Sequence, residues 1–394
     1  MDVQLIGFLI FIILLTAFLL ANRKKLEVQK IFFPALYFLL YRTKIGIKQM
    51  DWLGSKHPRL LDVLAKLSIL TGFIGMAVMC IMLVDNFIKM VFVPAAAPGV
   101  ALVLPVKIKG TFYVPFFYWI ISVFVLAIVH EFSHGVFARR YRIKIKSSGF
   151  AFLGIFLPVL PAAFVEPDEK QLARKKPSEQ LAVLSAGAFS NIVLAFIILG
   201  LMITIVPKIS DGMMHLEGVS VAGFNNATAA SPSQLAGVQI GEVIQSIDAV
   251  PISSSENFTL EMAAKKPGQV VNLITNASEY NITLASKKTN QSAPYIGLAV
   301  TQNYKIRPEV EQRFGKALPS AVVWIVGLFN WLFILNLGIG LFNLVPIGPV
   351  DGGRMLKIAL HKLFKKDRAD AYFKAVSFLF LALVIVNIAF SFFK

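Results

Sequence analysis

Long apolar segments recur along the chain, and short charged segments separate them. Six of the apolar segments carry no charged residue and approach or exceed the roughly 20 residues that a helix needs to cross a bilayer. They are residues 4–21, about 67–84, 115–129, 181–207, 317–345 and 375–393. This pattern predicts an α-helical polytopic membrane protein with about six transmembrane helices.

Two further apolar segments do not fit a helix that crosses the bilayer. The segment from Ile31 to Tyr41 is too short to span and has basic residues on both sides, which favours an interfacial or re-entrant helix. The segment from Ser147 to Pro167 is interrupted by glycines and prolines and also has basic residues at both ends. Because proline breaks helices, this second segment cannot span as a helix.

One polar block interrupts the apolar pattern. Residues 208–316 are the only stretch outside the predicted spans that is long enough to fold alone. Within it, alternating residues at Val219–Val221, Glu242–Ile247 and Val270–Ile274 predict short strands, and Ser255–Ala264 predicts a helix.

The order of turns and strands in this block resembles the core of a PDZ domain. The resemblance rests on the stretch from Ser231 to Ile247 and on Lys266-Pro-Gly-Gln-Val270. It implies an α+β domain over residues 215–300 that captures an extended peptide or a free C-terminus at a sheet edge. A small β-rich domain of another kind is the alternative.

All Asn-x-Ser/Thr sequons of the chain lie in the same block, at Asn226, Asn257, Asn276, Asn281 and Asn290. Such sequons accept N-linked glycans when they lie outside the cytoplasm. A glycosylated external face would explain the clustering. A chance cluster in a segment rich in Asn, Ser and Thr is the alternative.

Composition and charge support a membrane protein. Of 394 residues, 56% are hydrophobic and 15% are charged, and the mean hydropathy is +0.69, which excludes an ordinary soluble globular protein. Of 39 Lys and Arg, 9 lie in residues 22–59, 9 in 139–180 and 7 in 354–374. The order of the spans puts these three stretches on one side, which the positive-inside rule makes the cytoplasm. The net charge of +17 therefore indicates topology and contact with the lipid bilayer, and no nucleic-acid partner is predicted.

The same topology places both termini and the polar block outside the cytoplasm. The first span is followed by Arg23, Lys24 and Lys25 and has no basic residue before it, the reverse of a cleavable signal peptide, so we expect it to be retained. The one cysteine, Cys80, lies within a span, so no intrachain disulfide is expected. A multi-pass protein of the cell membrane is the prediction.

The third predicted span ends in Val129-His-Glu-Phe-Ser-His-Gly135, which contains an H-E-x-x-H motif. On a helix, His130 and His134 share a face, so both imidazoles can reach one metal ion while Glu131 lies beside its water. A shuffled chain would contain about 0.002 such motifs, so chance is a poor explanation. Polar residues that only join helices are the alternative, but polar groups in a span are costly, and metal ligation gives a reason for them.

Tetrahedral zinc requires a third protein ligand and an open position. By topology, that ligand should come from the cytoplasmic end of another span. Asp351 lies at this depth, after the fifth span, in Asn343-Leu-Val-Pro-Ile-Gly-Pro-Val-Asp-Gly-Gly353. Prolines and glycines break the helix there, which is tolerated at membrane depth where the backbone is buried or lines a cavity. An ordinary turn aspartate is the alternative, and iron or cobalt could replace zinc with the same ligands.

These motifs together resemble the site-2 protease family of intramembrane zinc metalloproteases, in its archaeal or bacterial type. The family has an H-E-x-x-H motif in one span and an N-x-x-P-x-x-x-x-D-G motif at the end of a later span, with a PDZ-like insert between them in some members. In this chain the second motif is filled by Asn343, Pro346, Asp351 and Gly352. The resemblance covers about residues 115–360. It implies a protease that cuts transmembrane proteins within or near their spans with one Zn²⁺ per chain.

The resemblance also implies roles for individual residues. Glu131 would be the catalytic base, and His130, His134 and Asp351 would be the metal ligands. The Ala186-Gly-Ala-Phe-Ser-Asn191 segment is similar to a small-residue motif of the family, so Asn191, like Asn343, would bind substrate. For Asn191, a role in joining two spans is the alternative. The segment from Ser147 to Pro167 resembles the family's re-entrant loop beside the active site.

These features divide the chain into five predicted regions. Residues 1–110 hold the N-terminal spans, 111–207 the catalytic membrane core, 215–300 the PDZ-like domain, 317–360 the core with the Asp-Gly motif, and 375–393 the last span. Two rival functions remain: a CAAX-type membrane metalloprotease, which lacks the Asp-Gly motif, and a non-catalytic scaffold that binds partners through the PDZ-like domain.

Overall fold

The computed structural model describes residues 2–32, 36–93, 99–155, 157–224, 231–287 and 290–393. The chain forms two compact units. Residues 1–202 and 325–394 form the first, hereafter the membrane unit, and residues 203–324 form the second, hereafter the inserted unit.

The helices are α1 (Val3–Ala21), α2 (Ile47–Lys56), α3 (Pro58–Phe92), α4 (Phe116–Arg140), α5 (Glu169–Ala173), α6 (Pro177–Thr204), α7 (Val206–Met213), α8 (Pro232–Leu235), α9 (Ser255–Ala263), α10 (Pro308–Phe314), α11 (Ala317–Phe342), α12 (Asp351–Leu363) and α13 (Lys366–Phe393). The strands are β1 (Leu26–Phe32), β2 (Leu36–Thr43), β3 (Leu102–Leu104), β4 (Thr111–Tyr113), β5 (Ile145–Ile155), β6 (Leu157–Pro167), β7 (Met214–Phe224), β8 (Val243–Ile247), β9 (Val250–Pro251), β10 (Val270–Thr275), β11 (Glu279–Thr283), β12 (Ala285–Lys287), β13 (Asn290–Tyr295) and β14 (Leu298–Ile306).

Six helical segments in the described part of the chain are long and apolar enough to cross a membrane. They lie in α1, α3, α4, α6 with α7, α11 and α13, which agrees with the predicted number of about six and supports a multi-pass membrane protein. Many large apolar side chains on them point outward, among them Ile13, Ile74 and Ile81, as expected for surfaces that contact lipid. The helix α4 extends well past the predicted end of its span, so the H-E-x-x-H motif lies inside a continuous helix.

A four-stranded antiparallel sheet shows that the prediction for Ile31 to Tyr41 was wrong. Apart from residues 33–35, which lie outside the described part, this segment belongs to β1 and β2 and not to an interfacial or re-entrant helix. The strand order is β1-β2-β5-β6, and β2 pairs with β5 along its whole length. The aromatic residues of this segment suit a strand once a partner edge is present, and β5, which is distant in sequence, provides that edge.

The segment from Ser147 to Pro167 lies in β5 and β6, which pair as an antiparallel hairpin. As predicted, this segment does not span as a helix. The edge strand β6 packs along α4, which carries the H-E-x-x-H motif. The hairpin therefore lies beside the predicted catalytic residues.

The inserted unit is built on a sheet of strand order β11-β10-β8-β7-β14, with β9 paired to β8. The predicted strands fall in β7, β8 and β10, and the predicted helix is α9, whose first turn is capped by the Ser254 side chain. Alternate residues of the strands, such as Val219, Ile244 and Leu273, are fully buried and form its core. This unit therefore has a hydrophobic core of its own.

Three of the five sequon asparagines lie in exposed positions of the inserted unit. They are Asn257, Asn276 and Asn281. Asn226 and the side chain of Asn290 lie outside the described residues. The sequons are therefore accessible where they are described, and their glycosylation stays a prediction.

Candidate metal centre and catalytic site

Three side chains converge in the interior of the membrane unit. The Nε2 atoms of His130 and His134, one turn apart on α4, lie 3.1 Å from each other. The Oδ2 atom of Asp351 lies 3.1 Å from the first and 3.2 Å from the second. These residues, hereafter the ligand cluster, are the predicted metal ligands, and all three offer a donor atom to one point.

Both imidazoles are held through their other ring nitrogen. The Nδ1 atom of His134 lies 2.6 Å from the carbonyl oxygen of Val183, so Nδ1 carries the proton and donates it, which leaves the Nε2 lone pair for a metal. The Nδ1 atom of His130 lies 3.3 Å from the side-chain amide of the fully buried Asn191. A 180° flip of the Asn191 amide exchanges its oxygen and nitrogen atoms. Oδ1 of Asn191, which is otherwise buried without a partner among the described residues, then accepts a hydrogen bond from Nδ1–H of His130.

The absence of a side chain at Gly187 makes room for the two imidazoles. A Cβ atom at this position of α6 would lie 2.4 Å from Nε2 of His134 and 2.6 Å from Nε2 of His130. Contacts this short do not occur, so any larger residue would displace the histidines. Sequence reasoning noted Gly187 only as part of a small-residue motif, because the approach of α6 to α4 is visible only in the fold.

Asp351, the third predicted ligand, is positioned by a tight turn between α11 and α12. Asp351 is the first residue of α12, and the backbone N–H of Gly352 donates to the carbonyl oxygen of Asn343 at 2.8 Å. A Cβ atom at Gly352 would lie 2.1 Å from the carbonyl oxygen of Leu344, so this close approach of backbone segments requires glycine. The Asp-Gly pair thus fixes where the carboxylate enters the cluster.

The donor set and its geometry fit a zinc ion. Ligands at 2.0–2.1 Å from a tetrahedral zinc lie about 3.4 Å apart, close to the separations in the cluster. With protons on both Nδ1 atoms, three lone pairs face one another, and such an arrangement repels itself unless a cation lies between them. Apart from the two imidazoles, Oδ2 of Asp351 has no partner among the described residues and is buried. A divalent cation would satisfy it.

Glu131 lies beside the ligand cluster and touches the edge strand of the sheet. Its Oε2 atom accepts a hydrogen bond from the backbone N–H of Val165 on β6 at 2.9 Å. Glu131, the ligand cluster and Asn343 line one cavity of about 500 Å³. The described structure therefore gathers four of the predicted site residues and Asn343 around a single space, while Asn191 lies behind His130 and does not line it. The substrate-binding roles of Asn191 and Asn343 stay predictions.

A charged network at the rim of this cavity joins all four strands of the sheet. The Arg42 guanidinium of β2 donates to Glu27 on β1 at 2.8 Å, to Ser147 on β5 at 2.6 Å, and to Glu166 on β6. The Ser147 hydroxyl and the Arg42 guanidinium hold the pKa of Glu166 below its usual value, and Arg42 does the same for Glu27. No sequence motif pointed to Arg42, because its partners come from three distant segments.

Comparison with known proteins gives concordant results. The sequence profile of peptidase family M50 matches residues 118–386. An uncharacterised protein of Methanocaldococcus jannaschii is 26% identical over 320 residues, which cover 80% of this chain and 75% of that protein. A Clostridium perfringens protein provisionally named a zinc metalloprotease is 22% identical over 292 residues, or 63% of this chain and 84% of its own length. The zinc metalloprotease RasP of Shouchella clausii is 21% identical over 266 residues, covering 57% of this chain and 61% of that protein.

Among solved structures, the PDZ domain of an SdrC-like protein from Listeria monocytogenes is similar over 88% of its own length and 22% of this chain. The sequence identity is 23% and the TM-score is 0.19.

The profile match covers more than half of the chain and includes every residue of the ligand cluster and Glu131. Family relatives are named as zinc metalloproteases, which agrees with a donor set of two imidazoles and one carboxylate. The chain therefore belongs to peptidase family M50, the site-2 protease family, and is a membrane metalloprotease by family.

Proposed function

We propose that this protein is an intramembrane zinc metalloendopeptidase that hydrolyses peptide bonds within or near the transmembrane segments of other membrane proteins. The observation that carries the proposal is the position of Glu131. It shares one cavity with the ligand cluster, on a helix long and apolar enough to span the membrane. A scaffold would need neither a complete ligand set nor a carboxylate beside it.

The chemistry follows from the roles of these residues. One zinc ion bound by the cluster would lower the pKa of a coordinated water to about 7 and polarise the scissile carbonyl. Glu131 accepts the proton of the attacking water, and the carboxylic acid so formed donates that proton to the leaving amine nitrogen. The Val165 N–H holds the Glu131 carboxylate in place before the reaction. Asn343 lines the same cavity, and in this proposal its side-chain amide would donate to the substrate.

The substrate must reach the cavity in an extended form. A transmembrane helix hides its carbonyl groups in internal hydrogen bonds, so it must unwind locally before attack. The β6 strand is an edge of the sheet, and pairing with it would satisfy the backbone of the unwound segment. We expect helix-breaking Gly or Pro residues introduced near the scissile bond of a substrate to speed cleavage. An unchanged rate would count against local unwinding.

The proposed topology places the ligand cluster toward the cytoplasm of a cell membrane and the inserted unit outside it. The basic stretches at 22–59, 139–180 and 354–374 support this orientation. We further propose that the inserted unit acts as a PDZ-like domain that binds a peptide or C-terminus, or that limits access to substrates with short external segments. Deletion of residues 217–300 should then broaden the range of substrates, whereas loss of all cleavage by a folded protein would argue against that role.

The decisive experiment compares the wild type with Glu131→Gln in detergent. Bound metal is measured, and both proteins are incubated with single-span model substrates. We expect about one zinc per chain in both and cleavage by the wild type alone. Glu179→Gln is a matched control, because Glu179 belongs to the same unit but does not line the cavity. Cleavage by Glu131→Gln, or absence of metal from the metal-replete wild type, would overturn the proposal.

A further inference from the structure

The two faces of the four-stranded sheet line two different cavities. On one face, Leu40, Arg42 and Phe164 border the cavity of the ligand cluster. On the other face, Phe150 and Ala163, which are cross-strand neighbours, border a second cavity of about 120 Å³. Side chains alternate between the faces of a strand, so Ala163 borders the second cavity and not the first, while Phe164 and Val165 at the sheet edge border both.

Glu131 borders both cavities. It lies in the wall of the large cavity with the ligand cluster and also in the wall of the second cavity. Its hydrogen bond from Val165 marks the place where the sheet edge separates them. The second cavity is therefore adjacent to the proposed catalytic base and does not belong to the metal centre itself.

The second cavity is apolar in character. Its walls include Met50 on α2, Ile128 and Phe132 on α4, and Phe150 on β5. The hydroxyl groups near it are already used, since Ser148 donates to the carbonyl oxygen of Ile45 at 2.6 Å and Thr43 donates to that of Ser148 at 3.2 Å. The small side chain of Ala163 leaves the space open. Its volume corresponds to about four water molecules, which suits one aliphatic or aromatic side chain.

The direction of the Val165 N–H shows how a substrate strand would meet this cavity. That N–H points out of the sheet, because it donates to Glu131 and not to β5. An extended segment that pairs with this edge has its own side chains directed alternately to the two faces. One side chain would enter the large polar cavity, and its neighbour would face the small apolar one.

We propose that the second cavity is a specificity subsite that accepts a single apolar side chain of the substrate, next to the scissile bond. The inference rests on the proposed proteolytic function and deepens it. The residue on either side along the substrate faces the large cavity and is less restricted. Substrates with a charged or polar residue at the one apolar position are cleaved slowly, because most of the wall is apolar and the Ser148 and Thr43 hydroxyl groups already donate to backbone carbonyls.

Ala163→Leu tests the subsite, and Ala162→Leu is its matched control. The first substitution fills the cavity, while Ala162 is exposed on the opposite face and borders neither cavity. Both variants and the wild type are assayed on substrates in which each residue flanking the scissile bond is varied from Gly to Ala, Leu and Phe. For Ala163→Leu we expect kcat/KM to fall about 10-fold or more for Leu and Phe at one position only, with Gly and Ala retained. Ala162→Leu should keep the wild-type preference.

A second variant acts in the opposite direction. Ile128→Ala enlarges the cavity from the α4 side and should raise the relative rate for Phe at the same position. Metal content and thermal unfolding report whether each variant is folded. A wild type that binds metal but cleaves nothing overturns the proteolytic function and the subsite together. A cleaving wild type whose preference is unchanged by both Ala163→Leu and Ile128→Ala overturns the subsite alone.

Discussion

Two largely buried acids, one in each unit, differ in what surrounds them. Glu242 of the inserted unit is 8% exposed, and its carboxylate accepts from the Thr275 hydroxyl at 2.7 Å, the Tyr280 hydroxyl at 2.8 Å and the Gln239 backbone N–H at 3.2 Å. Asp351 of the membrane unit faces two imidazole nitrogens through an Oδ2 atom that has no hydrogen-bond donor among the described residues.

The number of hydrogen-bond donors around a buried carboxylate distinguishes an acid that stabilises the fold from one suited to bind a metal. A buried carboxylate with several donors stabilises the fold without any further group. A buried carboxylate that faces other lone pairs is costly for the fold and needs a cation. The inserted unit therefore uses Glu242 to hold a loop to the sheet, whereas Asp351 of the membrane unit has the surroundings expected of a metal ligand.

The largest expected effect is that of Asp351→Asn. The amide cannot replace an anionic ligand, so zinc affinity and the rate of proteolysis should both fall. Mutation of a residue that only hydrogen-bonds to a metal ligand typically costs roughly 10–100-fold, and the loss of the ligand itself should cost more. The metal-free protein should not lose stability, because the substitution removes an unpaired buried charge. Metal analysis, a cleavage assay and thermal unfolding in chelator check these outcomes. A variant that retains zinc and cleaves would refute the assignment of Asp351.

Gly187→Ala should come next. The added methyl group would displace both imidazoles, so we expect zinc affinity to fall at least about 100-fold although no ligand is removed. Gly200→Ala on the same helix is the matched control, because a Cβ atom there meets nothing within 4 Å. Zinc competition with a chelator measures both. Equal affinities for the two variants would show that the close approach of α6 is unimportant.

Asn191→Ala should weaken zinc binding by about 10–100-fold, because His130 loses the partner that orients its ring. Asn336→Ala is the control, since Asn336 is also a fully buried asparagine in a span, but among the described residues its side chain bonds only the carbonyl oxygen of Leu332 on its own helix. Zinc affinity in the absence of substrate is the readout, because it separates a role in holding the histidine from one in binding substrate. Unchanged affinity with a raised KM would favour the substrate role.

Glu242→Ala should destabilise the inserted unit by about 1–3 kcal/mol, because the hydroxyl groups of the buried Thr275 and the half-buried Tyr280 lose this acceptor. Zinc content should be unchanged, which would sharpen the contrast with Asp351. Hydrogen exchange in β10 and β11 measures the local loss of protection. Full protection in this variant would show that the carboxylate contributes nothing to the fold of the unit.

The smallest effect concerns pH. Glu27 and Glu166 both have a pKa below the usual value of 4.5. The stability that their ion pairs with Arg42 contribute is therefore fully present above pH 4.5. It is lost as the pH falls through the lowered pKa values and the two carboxylates are protonated. Unfolding temperatures of the wild type and Arg42→Gln should therefore differ at neutral pH and converge as the pH falls through the lowered pKa values of the two carboxyl groups. A difference that persists unchanged to pH 3 would contradict this origin. The effect is small because these side chains are partly exposed.

The sequence by itself determined the six long apolar helices, the meeting of Asp351 with the H-E-x-x-H motif, and the strands β7, β8 and β10. Each of these depends on local periodicity or on a motif whose spacing fixes geometry, as His130 and His134 do within one helix. Only the tertiary structure decided that Ile31 to Tyr41 is strand, that Gly187 and Asn191 shape the ligand cluster, and that the sheet separates two cavities at Glu131. These features arise where segments distant in the sequence meet, and contacts of that kind produce no periodic pattern in the local sequence from which they could be predicted.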